Sequence, residues 1–176
     1  MKNPPKHLVL CLLILALSSF AMTVSAARTS SMLGVGVRQH AQHTAFAELP
    51  YGDGDLSYGI CYELHDKGGF WRLGVDFASS PTGTNGVDQV ITPHLNLVFE
   101  DDFWRGGVGI LYSFVNMDEG EDVTIDLYWQ IVLGISIPLG GWALDVHTFY
   151  VFEGWDTIDE FEFDELEFGA ILKLPF

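Results

Sequence analysis

Eight stretches of this chain alternate apolar and polar side chains with a period of two. They are Met32–Gln42, Leu56–His65, Phe70–Ser79, Gln89–Phe99, Phe103–Val115, Val123–Leu139, Trp142–Phe152 and Glu165–Phe176. In the second, Leu56, Tyr58, Ile60, Tyr62 and Leu64 share one face, against Ser57, Gly59, Cys61, Glu63 and His65. In the last, Leu166, Phe168, Ala170, Leu172, Leu174 and Phe176 oppose a face that carries Glu165, Glu167 and Lys173. Alternate residues of a strand point to opposite faces, so this pattern predicts strands. One such stretch is weak evidence, whereas eight of about ten residues each form a consistent set.

The links between the stretches alternate in length. Asp66–Gly69, Glu100–Asp102 and Gly140–Gly141 are short enough for tight hairpins. Thr44–Asp55, Ser80–Asp88, Asn116–Asp122 and Glu153–Asp164 are longer and polar. That order predicts an all-β chain, an eight-stranded antiparallel up-and-down transmembrane β-barrel with both termini on the short-turn side. The apolar faces would meet lipid and the polar faces would line the lumen. A soluble lipocalin-like barrel or sandwich would turn the same faces the other way, and alternation alone leaves it open. Trp71, Trp104 and Trp142 each follow a short turn, and Phe70-Trp71-Arg72 echoes Phe103-Trp104-Arg105. Tyr58, Phe77, Tyr112, Phe114, Tyr150 and Phe152 fall near the opposite rim. Two aromatic girdles around an aliphatic band are expected where rings meet lipid headgroups.

The first 26 residues read as a secretory leader rather than as part of the barrel. Lys2 and Lys6 precede the apolar run Leu8–Leu17, and Val24-Ser25-Ala26 fits a cleavage site. The barrel domain is then residues 27–176. Removing the leader takes two of the eight Lys+Arg and none of the 24 Asp+Glu, which moves the formal net charge from −16 to −18. So acidic a chain is unsuited to nucleic acid and to anionic lipid surfaces. Cys61 alone remains after cleavage, so an internal disulfide is excluded. Beyond the leader there is no apolar run long enough for a membrane helix.

The terminal Leu172-Lys173-Leu174-Pro175-Phe176, together with the turn order, resembles the small eight-stranded outer-membrane β-barrel proteins of Gram-negative bacteria, the class of the OmpA membrane domain and OmpX. The resemblance implies an exported chain in the outer membrane. It also implies that Leu172, Leu174 and Phe176 form a signal read by the barrel-assembly machinery. Outer-membrane lipid and lipopolysaccharide would surround a monomer. No particular activity comes with this architecture.

The predicted inward faces carry Arg38, Arg72, Arg105 and Lys173, with Glu63, Asp76, Asp126, Asp145, Glu165 and Glu167. A barrel of eight strands has interior room only for side chains, so these charges must pair into a plug. Arg72, Arg105 and Lys173 are expected near Glu63 and Asp145 at the short-turn end. Asp76, Asp126, Glu165 and Glu167 are expected higher, where basic partners run out. A narrow ion path is the rival reading of the same residues. Some barrels of this class modify lipid A with a His and a Ser. His43, Asp76 and Ser79 could imitate such a set, although no mature His has Ser two residues later. The acidic links could hold divalent cations, but they lack EF-hand spacing. No motif calls for a cofactor.

Overall fold

The computed structural model describes residues 30–42, 50–83, 85–117, 123–124, 127–155, 158 and 161–176. The predicted leader, His43 and Asp126 lie outside them. Ten strand segments occur among the described residues: β1 Ser30–Gln39, β2 Leu56–Asp66, β3 Gly69–Ser79, β4 Val87–Glu100, β5 Trp104–Leu111, β6 Phe114–Met117, β7 Val123–Thr124, β8 Tyr128–Leu139, β9 Trp142–Phe152 and β10 Glu167–Pro175. They build eight antiparallel walls, because β5 with β6, and β7 with β8, each make one wall. The ring runs β3-β2-β1-β10-β9-β8-β5-β4 and closes through the β3–β4 pairing. β6 and β7 continue the fifth and sixth walls beyond β4 toward the long loops.

The fifth wall breaks at Tyr112–Ser113, where an unbroken stretch is predicted. Tyr112 donates its N–H to the Pro93 carbonyl at 3.1 Å. An antiparallel hydrogen-bonded pair exchanges two such bonds. Pro93 has no N–H to return, so the ladder loses a rung there.

The faces settle between the two predicted barrels. Val35 is 58% exposed and Ile60 61%, while Glu63 and Arg72 are fully buried. Leu95, Val108, Leu133 and Val146 also face outward. The apolar band is therefore outside and the charges inside, which excludes the inverted arrangement. At the short-turn end, Gly68 and Gly140 sit in two-residue hairpins with φ of 82° and 72°, a region costly for other residues. At the long-loop end the lumen becomes apolar. There Ala78, Val87, Val90, Leu111, Val115 and Val151 pack with Tyr51 and Tyr128 into a small core.

Glycines on the inner face make room for long polar side chains. A Cβ on Gly109 would lie 1.9 Å from Asn96 Oδ1, and one on Gly59 would lie 2.0 Å from Asp76 Oδ1. One on Gly74 would lie 2.4 Å from the His94 ring. Overpacking of this kind typically costs about 1–3 kcal/mol. Gly109→Ala and Gly59→Ala should each lower stability by about that amount. Gly141→Ala, in open space in a turn, should stay within about 0.5 kcal/mol of the parent. Urea midpoints of the refolded barrel measure the difference, and equal midpoints for all three variants would contradict this packing.

Candidate functional site: the polar lumen

Four charges meet in the half of the lumen nearer the short turns. Strand alternation points Glu63 of β2, Arg72 of β3, Asp145 of β9 and Lys173 of β10 to the same interior level. Arg72 Nε donates to Glu63 Oε1 at 2.7 Å and Nη2 donates to Asp145 Oδ2 at 3.2 Å. Lys173 Nζ lies 2.9 Å from Glu63 Oε2 and 2.6 Å from Asp145 Oδ2. Two cations and two carboxylates thus form a closed, neutral square. All four are buried. Phe70 lies beneath it, with the Arg72 guanidinium 5.2 Å and the Lys173 ammonium 5.1 Å from its ring centre. His65 stacks on Phe70 at 4.5 Å and sits between Glu63 and Glu100. His147 Nε2 accepts weakly from both Arg72 terminal nitrogens, at 3.4 and 3.5 Å.

A hydrogen-bonded chain continues toward the long loops. Asn96 donates to His94 Nδ1 at 2.9 Å, which leaves the His94 Nε2–H facing Asp76 Oδ2 at 3.6 Å. Gln130 donates to Asn96 Oδ1 at 2.7 Å, and Arg38 donates to Gln130 Oε1 at 3.1 Å. Arg38 Nε also bonds Glu167 Oε2, and the Arg38 guanidinium lies over Phe149 at 4.1 Å. His40 Nδ1 is 3.2 Å from Glu167 Oε1, and His40 Nε2 is 2.9 Å from Ser57 Oγ. Two cavities, of about 30 and about 10 Å³, adjoin Arg38 and Asp76. The larger has room for a water or two, and the smaller for one at most.

Tyr51 closes the long-loop end. Its ring lies parallel to the His40 ring at 3.6 Å, and its hydroxyl shares a bond with Thr92 at 2.7 Å. Thr92 in turn bonds Ser113 at 2.8 Å. Asp55 latches the Tyr51 segment to the next loop. It accepts from the Gly52 and Thr82 N–H groups at 2.7 Å each, and from the Thr82 hydroxyl at 2.9 Å. Burial pushes the Tyr51 phenol pKa upward from its ordinary 10.0, with the Thr92 bond acting against the shift.

The predicted charges do not all fall where expected. Arg72, Lys173, Glu63 and Asp145 meet as expected, but Arg105 does not join them. One residue beyond Trp104, Arg105 turns back to the hairpin. It donates to the Asp101 and Trp104 carbonyls at 2.6 and 2.9 Å and reaches Glu100 at 3.5 Å. Higher up, basic partners do not run out. Glu167 has Arg38 and His40, and Asp76 has His94. Glu165 is buried at the end of the link before β10. The histidines escape the sequence reading as charge partners, although their inward parity on β2, β4 and β9 is visible in the alternation.

The proposed His43, Asp76 and Ser79 set is not assembled. His43 lies outside the described residues. Asp76 points inward and Ser79, three residues on along the same strand, points outward. The structure instead lines up Ser57, His40 and Glu167 in the order of a nucleophile, a base and its orienting carboxylate. Ser57 is fully buried, and the adjoining cavity of about 10 Å³ is too small for an ester.

Of the predicted girdles, Trp71, Trp104 and Trp142 are exposed beside the short turns. Tyr58 and Phe77 form an exposed cross-strand pair at the other rim. Tyr112 and Phe114 meet edge to face at 5.0 Å. Tyr150 and Phe152 differ from expectation, with only 4% and 0% exposure. Phe161 covers the first at 4.5 Å and Trp155 the second at 5.1 Å. At the terminus, Leu174 and Phe176 are exposed, and Leu172 pairs with Val35 and Leu144.

Breaking one partner of a buried pair costs about 3–5 kcal/mol, because the other charge stays buried. Arg72→Met and Lys173→Met should each lose about that much stability, while Arg105→Ala should lose less than about 1 kcal/mol. Unfolding midpoints followed by the gel shift between folded and boiled protein rank the three. An Arg105→Ala loss as large as that of Lys173→Met would refute the assignment.

The Tyr51 seal should weaken in alkali. Its raised pKa means that its contribution is complete below pH 10 and is withdrawn as pH climbs toward the folded value. Tyr51→Phe keeps the stack and loses the Thr92 bond, at a cost of about 1 kcal/mol. That variant should lack the part of the alkaline destabilisation due to Tyr51. Identical alkaline profiles for parent and Tyr51→Phe would show that Tyr51 contributes nothing to it.

No family model matches the chain, and no curated protein matches it. Among solved structures it is similar to the crystal structure of Neisserial surface protein A (NspA), at a TM-score of 0.53 and 11% identity, over 85% of this chain and 98% of that one. The likeness lies in the fold: a closed, eight-stranded antiparallel β-barrel.

Proposed function

We propose that the protein is an integral outer-membrane barrel of a Gram-negative bacterium, exported behind a cleaved leader, with a structural or surface-binding role. The observation that carries this reading is the inversion of polarity. Aliphatic and Trp side chains ring the outside, while a neutral set of paired charges fills the inside. In water such an outer surface would be a large aggregation liability, whereas in lipid it is the required one. The similar neisserial protein is named a surface protein, which supports the same location. Filled as it is by the square of charges, Phe70 and Tyr51, the lumen favours a plug over a channel. The buried state of Ser57 likewise favours a binding or structural role over lipid A chemistry. In this reading lipopolysaccharide surrounds a monomer, the assembly machinery reads Leu172, Leu174 and Phe176, and divalent cations meet the acidic loops.

The protein should fractionate with the outer membrane and run differently on gels before and after boiling. Leu133→Arg should cost roughly 2–4 kcal/mol by placing a charge in the lipid band. Planar bilayers should show negligible conductance, and the lipid A mass profile should be the same with and without the gene. A soluble periplasmic pool of wild-type protein would sink the membrane reading. Steady large conductance would establish the channel instead, and an altered lipid A profile would establish the enzyme.

A further inference from the structure

Aromatic residues of the link after β9 pack on the outer face of the wall. On β8, Gln130 points into the lumen, so its neighbour Trp129 points outward. On β9, Val151 lines the interior beside Arg38 and His40, so Tyr150 and Phe152 point outward. The link packs on these outward residues. Trp155 lies 5.5 Å from Trp129 and 5.1 Å from Phe152, and Phe161 lies 4.5 Å from Tyr150. Trp155 and Phe161 therefore form a second layer on the outside of one arc of wall, and these rings cover Tyr150 and Phe152.

The free side of that layer is aromatic. Phe163 is 82% exposed, Trp155 50% and Phe161 41%. Phe161 and Phe163 meet edge to face at 5.0 Å. The sequence Phe161-Glu162-Phe163-Asp164 alternates ring and carboxylate, and Glu162 has extended backbone angles. The extended Glu162 points away from the two rings that flank it, and a single 3-10 turn, Phe163–Glu165, follows. The layer is anchored at its end, where Glu165 is buried. Immediately beyond, Phe168 is 57% exposed on the outer face of β10. Phe168 and Val146, 39% exposed on β9, belong to the apolar outer band of the same arc of wall.

We propose that Trp155, Phe161 and Phe163 form a ledge seated in the bilayer at the long-loop rim, with lipid as its occupant. The inference rests on the outer-membrane reading. The seat of the rings selects lipid, since Phe161 and Trp155 pack on Tyr150 and Phe152, on the same face of β9 as the exposed Val146 of the outer band. Aromatic rings are favoured at the boundary between hydrocarbon and headgroups, and the Glu162 carboxylate keeps to the aqueous side. The apolar perimeter becomes taller on the β8–β10 arc than on the β2–β3 arc.

Nitroxide labels on single cysteines test this in a Cys11→Ser, Cys61→Ser background, refolded in phosphatidylcholine vesicles and checked by the gel shift. Phe163→Cys and Glu162→Cys are the test positions. Leu133→Cys marks the lipid band and Lys67→Cys marks an exposed turn. Collisions with oxygen report lipid, and collisions with a water-soluble nickel chelate report solvent. The Phe163 label should favour oxygen, at a depth between those of Leu133 and Lys67, and the Glu162 label should favour nickel. Phe163 as nickel-accessible as Lys67, with Leu133 still in lipid, would overturn the ledge and leave the membrane reading standing. Nickel access at Leu133 would overturn both. Spin–spin broadening at Phe163 would show that a second copy, rather than lipid, covers the ledge.

Discussion

Closing eight walls around an interior lined with ionised side chains imposes one condition: every buried charge must find its opposite inside the ring. The square of Glu63, Arg72, Asp145 and Lys173 meets that condition. Its four members come from two hairpins at opposite ends of the chain, β2–β3 and β9–β10, and each cation touches both carboxylates. The arrangement is correct only when β2, β3, β9 and β10 are in register, since a slip of one residue would turn the side chains of a strand to lipid. A structure whose outer surface is apolar everywhere has little outside to fix register. Here the charges inside can do so.

Room for this interior comes from what the walls omit. An eight-stranded ring is narrow, and long side chains lie flat across the neighbouring strand rather than project to the centre. Asn96 crosses Gly109, Asp76 crosses Gly59 and His94 crosses Gly74. The inner faces are glycine-rich at these crossings because the side chain of one wall takes the volume that a Cβ of the next would occupy. Polar length and missing side chains are thus two halves of one packing solution.

Much of this was legible in period two. The number of walls, the inward and outward sets and the order of short and long links all follow from alternation and turn composition. Partner choice was less legible. Arg105 and Lys173 have the same parity and similar height, but Arg105 adjoins a hairpin with free carbonyls, and only the turn's backbone reveals that it prefers them. The break opposite Pro93 could have been read, since a proline in a paired strand withholds a bond wherever its neighbour falls. The burial of Tyr150 and Phe152 could not be read from their own strand, because the cover comes from Trp155 and Phe161 in a link whose path alternation does not describe.

The Tyr51 seal and the charge square together divide the molecule's interior from both aqueous sides. The space between them is small and mixed in lining, with Arg38, Asp76 and His94 at hand as partners for a water. Such water would be enclosed above by a stacked ring and below by paired ions. Its residence time would follow the opening of the Asp55–Thr82 latch rather than diffusion. The barrel would then carry a compartment of solvent renewed at the rate at which one tyrosine lifts off one histidine.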